Sequence, residues 1–270
     1  MKRILALITI LAFTVFGSIT ASAKYIIGSE YGASAMYQID STTGEFVTLG
    51  TPDTSRLPGL AYNPTTDTLY GTDESNLYTV DKSSGATTLV GSHGFSVTGL
   101  TFNDSYTLLY AIGYDRNLYS INPATGAALV IGAFGIGTTN LYDLATDGSG
   151  TVYGAGSGSN VYTINTTTGA ATLVGARTGI TSSVTSITFS DSDTLFAIDI
   201  GSDRLLNIDT VTLVTTEIGT AKIGSDVRGL AYIGEARQAL PSEPVPTMSA
   251  LAILALALVM ALTGWVAIKD

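Results

Sequence analysis

The sequence predicts an all-β fold, a five-bladed β-propeller built from four-stranded sheets, and three observations carry that prediction. One segment recurs five times with a period of roughly 40 to 45 residues, the length of a propeller blade. Within the copies, short runs such as Leu77-Tyr78-Thr79-Val80-Asp81 show the period-2 pattern of a half-buried strand. The 30 glycines are spread through the turns between these runs, which suits many tight hairpins rather than disorder. A linear β-solenoid is the alternative arrangement of the same repeats.

The elements follow in chain order. Residues 1–23 read as a signal peptide: Lys2 and Arg3 give a positive start, Ile4 to Phe16 an uncharged apolar stretch, and Ala21-Ser22-Ala23 a small-x-small cleavage site. Signal peptidase is the implied partner, and Lys24 the first residue of the mature chain. The propeller is expected over residues 24–236. Its first strands are of the Gly-Leu-Ala-Tyr type: Gly59 to Tyr62, Gly99 to Phe102, Asp143 to Thr146, Ser186 to Phe189 and Gly229 to Tyr232. Second strands read Leu-Tyr-Gly, third strands Leu-Tyr-Thr-Val-Asp and fourth strands Ala-Thr-Thr-Leu-Val. The turns between third and fourth strands carry Gly44, Gly85, Gly126 and Gly169. The last repeat has Thr210-Val211-Thr212 instead, so its turn is expected to differ. The mature chain begins with a second strand at Tyr25 and ends with a fifth first strand at Gly229. That last strand is predicted to complete the first blade, a 1+3 closure that removes the free edges of the ring. The repeated tyrosines, among them Tyr70, Tyr78, Tyr110, Tyr119, Tyr153 and Tyr162, are expected to pack between blades with their hydroxyls at the rim.

Residues 237–249 form a proline-containing linker. Residues 250–268 then run without a charge, rich in Leu and Ala, with Trp265 near the end. At about 1.5 Å per residue this stretch spans a bilayer core as a transmembrane helix. Lys269 and Asp270 make a short polar tail. Val245-Pro246-Thr247-Met248 followed by such a helix resembles the IPTL-CTERM group of bacterial C-terminal sorting signals, relatives of the PEP-CTERM signals. The resemblance implies recognition by an exosortase-type membrane transpeptidase, removal of the helix, and passage from the inner membrane to the cell surface or matrix. The chain departs from the pattern in having Val-Pro-Thr-Met for Ile-Pro-Thr-Leu and a single terminal Lys followed by Asp. A tail that is kept would instead make a permanently anchored assembly factor. The repeats themselves resemble those of exported bacterial propellers of WD40-like and YVTN-like type, without the Trp-Asp signature.

Composition narrows the function. The net charge is −10, and a strongly acidic chain is poorly suited to phosphate backbones or anionic lipid surfaces. No nucleic-acid partner is therefore expected, and membrane contact is expected only through the C-terminal helix. There is no cysteine, so disulfides, thiol nucleophiles and thiolate-held metals are excluded. The only histidine, His93, sits in a Gly-Ser-His-Gly connection and reads as solvated. The many aspartates fall in turns, where they cap their own backbone. Asp191-Ser192-Asp193 lacks the longer spacing of a calcium loop. No cofactor, metal or catalytic set is expected, and the chain reads as a non-catalytic platform for a protein or polysaccharide. An extracellular propeller enzyme, a lactonase or a glycan-active hydrolase or lyase, is the alternative.

Propellers bind over the central channel, on the face formed by the loops between second and third strands and between blades. Candidates there are Arg56, Tyr114, Arg116, Asp143 and Arg228, on a face that also carries Glu30, Tyr31, Asp53, His93, Phe95, Asp115, Asn140, Arg177, Asp199 and Asp203. Arg228 takes the place held by Pro58, Thr98, Tyr142 and Thr185 in the other repeats, and Asp143 the place of Gly59, Gly99 and Gly229. Asp143 and Arg228 are expected near the channel mouth.

Overall fold

In the computed structural model, residues 24–235 are described, except 33, 55, 138, 181, 200, 202, 224 and 225. The expected signal peptide with its Ala21 and Ala23 site, the linker with Val245-Pro246-Thr247-Met248, the membrane helix and the polar tail lie outside these residues. Twenty-one strands form among them: β1 (Lys24–Glu30), β2 (Met36–Asp40), β3 (Phe46–Gly50), β4 (Gly59–Asn63), β5 (Thr68–Thr72), β6 (Asn76–Val80), β7 (Thr87–Ser92), β8 (Val97–Phe102), β9 (Leu109–Gly113), β10 (Asn117–Ile121), β11 (Ala128–Ala133), β12 (Leu141–Thr146), β13 (Val152–Gly156), β14 (Asn160–Ile164), β15 (Ala171–Ala176), β16 (Thr178–Gly179), β17 (Val184–Phe189), β18 (Leu195–Asp199), β19 (Leu205–Ile208), β20 (Val214–Glu217) and β21 (Val227–Glu235). They make five sheets, β21-β1-β2-β3, β4 to β7, β8 to β11, β12 to β15, and β17 to β20 with β16 added outside β20. The chain is a five-bladed propeller.

The closure is the one the repeat order predicts. β21 pairs antiparallel with β1, with Ile26 opposite Tyr232, Ile27 opposite Ala231 and Gly28 opposite Leu230. The last strand thus becomes the innermost strand of the first blade. The fifth blade departs from the expected four strands, because Thr178 and Gly179 run parallel to Val214 and Thr215 and cover that blade's outer edge.

The core is divided among the seams between blades, since each sheet has two faces and each face meets a neighbour. Ile27, Met36 and Ala231 of the first blade pack on Leu57, Leu60, Leu69 and Val80 at the second. Ile112 and Leu118 meet Leu144, Val152 and Ile164. At the closing seam, Ile26, Ile39, Val227 and Leu230 meet Phe196, Ile198 and Leu205. Second-strand tyrosines fill the seams as expected: Tyr70 lies edge-on to Phe102 at 5.5 Å and Tyr153 against Phe189 at 5.2 Å.

The seams are also stitched at the rim. Gly91, at the end of β7, backs onto the Thr125-Gly126 turn of the next blade so tightly that a Cβ would overlap the Thr125 carbonyl. Gly219 stands in the same relation to Thr43 and Gly44, across the seam that closes the ring. The exception is the glycine-less turn of the last repeat. There Leu213 takes the left-handed conformation, φ 58°, and its Cδ1 lies over Gly175.

Candidate ligand-binding site at the channel mouth

The first strand of every blade runs inward from one face, so one residue from each blade meets at the channel mouth. Pro58, Thr98, Tyr142, Thr185 and Arg228 line a cavity of about 70 Å³ there, with Tyr114 beside them. These are the five equivalent repeat positions. One of them also ties blades together, Thr185 Oγ1 donating to Val227 O at 2.6 Å, whereas Thr98 Oγ1 lies 3.4 Å from both Ile112 O of its own blade and Leu141 O of the next.

Three of the expected residues converge at this mouth on a fourth, Tyr31. The guanidinium carbons of Arg56 and Arg228 lie 4.4 Å and 4.3 Å from the centroid of the Tyr31 ring, a cation–π geometry. Arg56 Nη2 also donates to Glu74 Oε1 at 2.7 Å, and Arg228 Nε to Asp226 Oδ1 at 2.9 Å. Solvent-screened pairs of this kind add little stability, of order 0–1 kcal/mol each, but they fix the heads of two long side chains. Tyr114 is 52% exposed. Burial raises its hydroxyl above the ordinary phenol value, as does a hydrogen bond with Tyr31, while the two arginines oppose the rise. Each of the four residues comes from a different connection: Tyr31 follows β1, Arg56 precedes β4, Tyr114 follows β9 and Arg228 opens β21.

The other two expected residues go elsewhere. Arg116, at φ 65°, turns outward and donates Nη1 to Gly137 O at 2.8 Å. Asp143 lies in the channel wall, 1% exposed. Its Oδ1 accepts from Leu144 N at 2.9 Å and Leu100 N at 3.3 Å, and its Oδ2 from Ile187 N at 3.0 Å. One carboxylate thereby serves amides from three consecutive blades. Burial pushes its carboxyl well above the usual range, against these three amides, which favour the anion. Asp143 forms no pair with Arg228, whose carboxylate partner is Asp226.

His93 corrects the expectation of a solvated side chain. Both ring nitrogens are buried, and the ring lies 4.9 Å from Phe95, which stacks on Tyr119 at 3.7 Å. Burial holds the imidazole below its ordinary pKa, against the backbone of Asn76, the Asp73 charge and the backbone of Phe95, which all favour the cation. Arg177, another arginine of this face, is 2% exposed. It binds its own loop through the carbonyls of Ile180 and Ser182, the latter at 2.5 Å, and the β13–β14 turn through that of Gly158.

A larger cavity, about 530 Å³, opens at the opposite end of the channel. Its aromatic lining repeats from blade to blade as Tyr62, Phe102, Phe189 and Tyr232, and two of its carboxylates are already engaged: Asp147 caps its own turn and Asp193 accepts from Gly148 N at 2.7 Å. The mouth differs in being built from side chains that depart from the repeat.

No protein-family model matches the chain, and no curated protein matches it. Solved structures are similar in fold. A structural genomics protein of unknown function from Bacteroides thetaiotaomicron superposes with a TM-score of 0.56 at 16% identity, over 80% of this chain and 66% of that one. A chain of the nidogen/laminin complex gives a TM-score of 0.51 at 12% identity, over 77% of this chain and 97% of that one. These likenesses concern the fold alone.

Proposed function

We propose that this chain is a non-catalytic, exported binding protein whose propeller presents its channel mouth to a protein or polysaccharide of the cell surface or extracellular matrix. The observation that carries the reading is the gathering of Arg56, Tyr114 and Arg228 around Tyr31, at the point where all five blades converge. Guanidinium and phenol groups are enriched at interface hot spots because they combine flat apolar area with directional donors. The five-bladed ring supplies a rigid base for them. The terminal segments support export: a small-x-small site at Ala21 and Ala23, and a Val245-Pro246-Thr247-Met248 motif before an apolar stretch. An exosortase-type transpeptidase is the proposed partner during export, with the inner membrane a transient or final anchor.

The test is made in the native host with the full chain. Wild type should be recovered cross-linked to one envelope or matrix component. The double variant Arg56→Ala, Arg228→Ala should lose that component while keeping its thermal unfolding transition. Unchanged capture removes the mouth from the proposal, and turnover of a lactone or glycan overturns the non-catalytic reading. Mass spectrometry of the mature protein tests delivery. An N-terminus at Lys24 and a C-terminus near Thr247 fit sorting, whereas an intact Asp270 fits permanent anchoring.

A further inference from the structure

Resting on that reading, we infer that the channel mouth is a carboxylate receptor and that the partner docks by inserting an Asp or Glu side chain of a protein between Arg228, Tyr114 and Tyr31. Arg228 spends Nε on Asp226, and Arg56 spends Nη2 on Glu74. Both Nη groups of Arg228 thus remain for a guest, and two adjacent N–H groups of one guanidinium match the two oxygens of a carboxylate. The internal carboxylates prepare the site, because each sits on one side of its guanidinium and sets the plane of the fork. Tyr31 holds both cations from the ring side. The Tyr114 ring, half exposed, offers a flat contact above the cavity.

Size separates the acidic guests. The cavity is about 70 Å³ and is walled by Pro58, Thr98, Tyr142 and Thr185. A carboxyl group on one or two methylenes is of that order in size, whereas a pyranose ring is larger and would lie across the open rim. Thr185 gives its hydroxyl proton to the Val227 carbonyl of the neighbouring blade at 2.6 Å, which ties that wall across the seam. A short acidic side chain from a polypeptide therefore fits better than a uronate within a polysaccharide.

The experiment uses the full chain in detergent and two carboxylate polymers, poly-L-glutamate and polygalacturonate, followed by calorimetry at low and moderate salt. Poly-L-glutamate should bind. Arg228→Lys, which keeps the charge but loses the fork, should weaken it by about tenfold, and Arg228→Ala should weaken it further. The unfolding midpoint of each variant is measured in parallel, and Arg116→Ala, whose guanidinium points away from the mouth, should bind as wild type does. Polygalacturonate bound more tightly than poly-L-glutamate would overturn the peptide guest. Equal binding by wild type and Arg228→Lys would overturn the fork. If poly-L-glutamate fails to bind while host capture still depends on Arg56 and Arg228, the platform stands and this inference falls.

Discussion

Asp143 and His93 show how far a single side chain can depart from its repeat. Three of the five blades place glycine where Asp143 stands, and at Gly99 a Cβ would come within 2.5 Å of the Asp143 Cα. The innermost strands approach so closely that one carboxylate reaches the amides of Leu100, Leu144 and Ile187 together. Asp143→Gly restores the repeat residue and leaves these buried amides without their acceptor, at a cost of about 3 kcal/mol. Formate or acetate should recover part of that loss in denaturant melts of the variant and do nothing for the wild type. An Asp143→Gly protein as stable as wild type would show that the carboxylate holds nothing together. His93 predicts a pH effect of definite sign. Burial favours its neutral form, so the folded pKa lies below the ordinary value of about 6.5. The stability tied to the neutral ring is present above that value and is lost as pH falls from it through the folded pKa. Wild type should therefore lose more thermal stability between neutral and mildly acid pH than His93→Gln does, and identical pH profiles would count against a buried imidazole.

The hairpin and the blade edge are the elements at which repetition becomes structure. Third-strand tyrosines do more than pack: Tyr37 donates to Glu30 at 2.5 Å, Tyr78 to Asp73 at 2.7 Å and Tyr119 to Asp115 at 2.5 Å. Each pair ties a third strand to a carboxylate at the end of the second strand or in the turn after it, on the same face as the channel mouth. Desolvation, with the Glu30 hydrogen bond and charge, pushes the Tyr37 hydroxyl up to about 12. The period-2 pattern placed these tyrosines in strands, but the partner carboxylates sit at a strand end in one blade and in turns of unequal composition in the others, so the pairing was not legible. The glycines of the outer turns were legible as turn formers, and their second role was not, because it depends on a neighbouring blade. Gly219 tests that role at the closing seam. It has φ 68°, and a Cβ there would overlap the Thr43 carbonyl. Gly219→Ala should cost about 1–3 kcal/mol through backbone strain and overpacking, read as a lowered denaturation midpoint. A neutral substitution would mean that the rim contact yields freely.

At the scale of the whole molecule, the ring was readable and its mouth only partly so, for one physical reason. Blade number, strand order and closure depend on local periodicity and on which strand the chain begins and ends with. A cluster such as Tyr31, Arg56, Tyr114 and Arg228 depends on loops far apart in sequence being folded over one axis. Repeat alignment exposed Arg228 and Asp143 as departures, yet it could not tell that Asp143 turns into the wall or that Arg116 turns to Gly137. Closure itself makes the last prediction. β21 supplies Val227, Leu230 and Tyr232 to one seam and Ala231 and Ile233 to the next. It also donates Tyr232 N to Thr188 Oγ1 at 3.0 Å and carries Arg228 at the mouth. A chain that stops before Val227 would leave β1 as an unpaired edge and expose both seams, which invites edge-to-edge association. It should lose its cooperative unfolding transition and aggregate, whereas a chain that stops after residue 236 should keep the transition of the full-length protein. Were the shorter chain to unfold as cooperatively as the longer one, the ring would be held by its seams without the last strand, and the channel mouth would need another anchor.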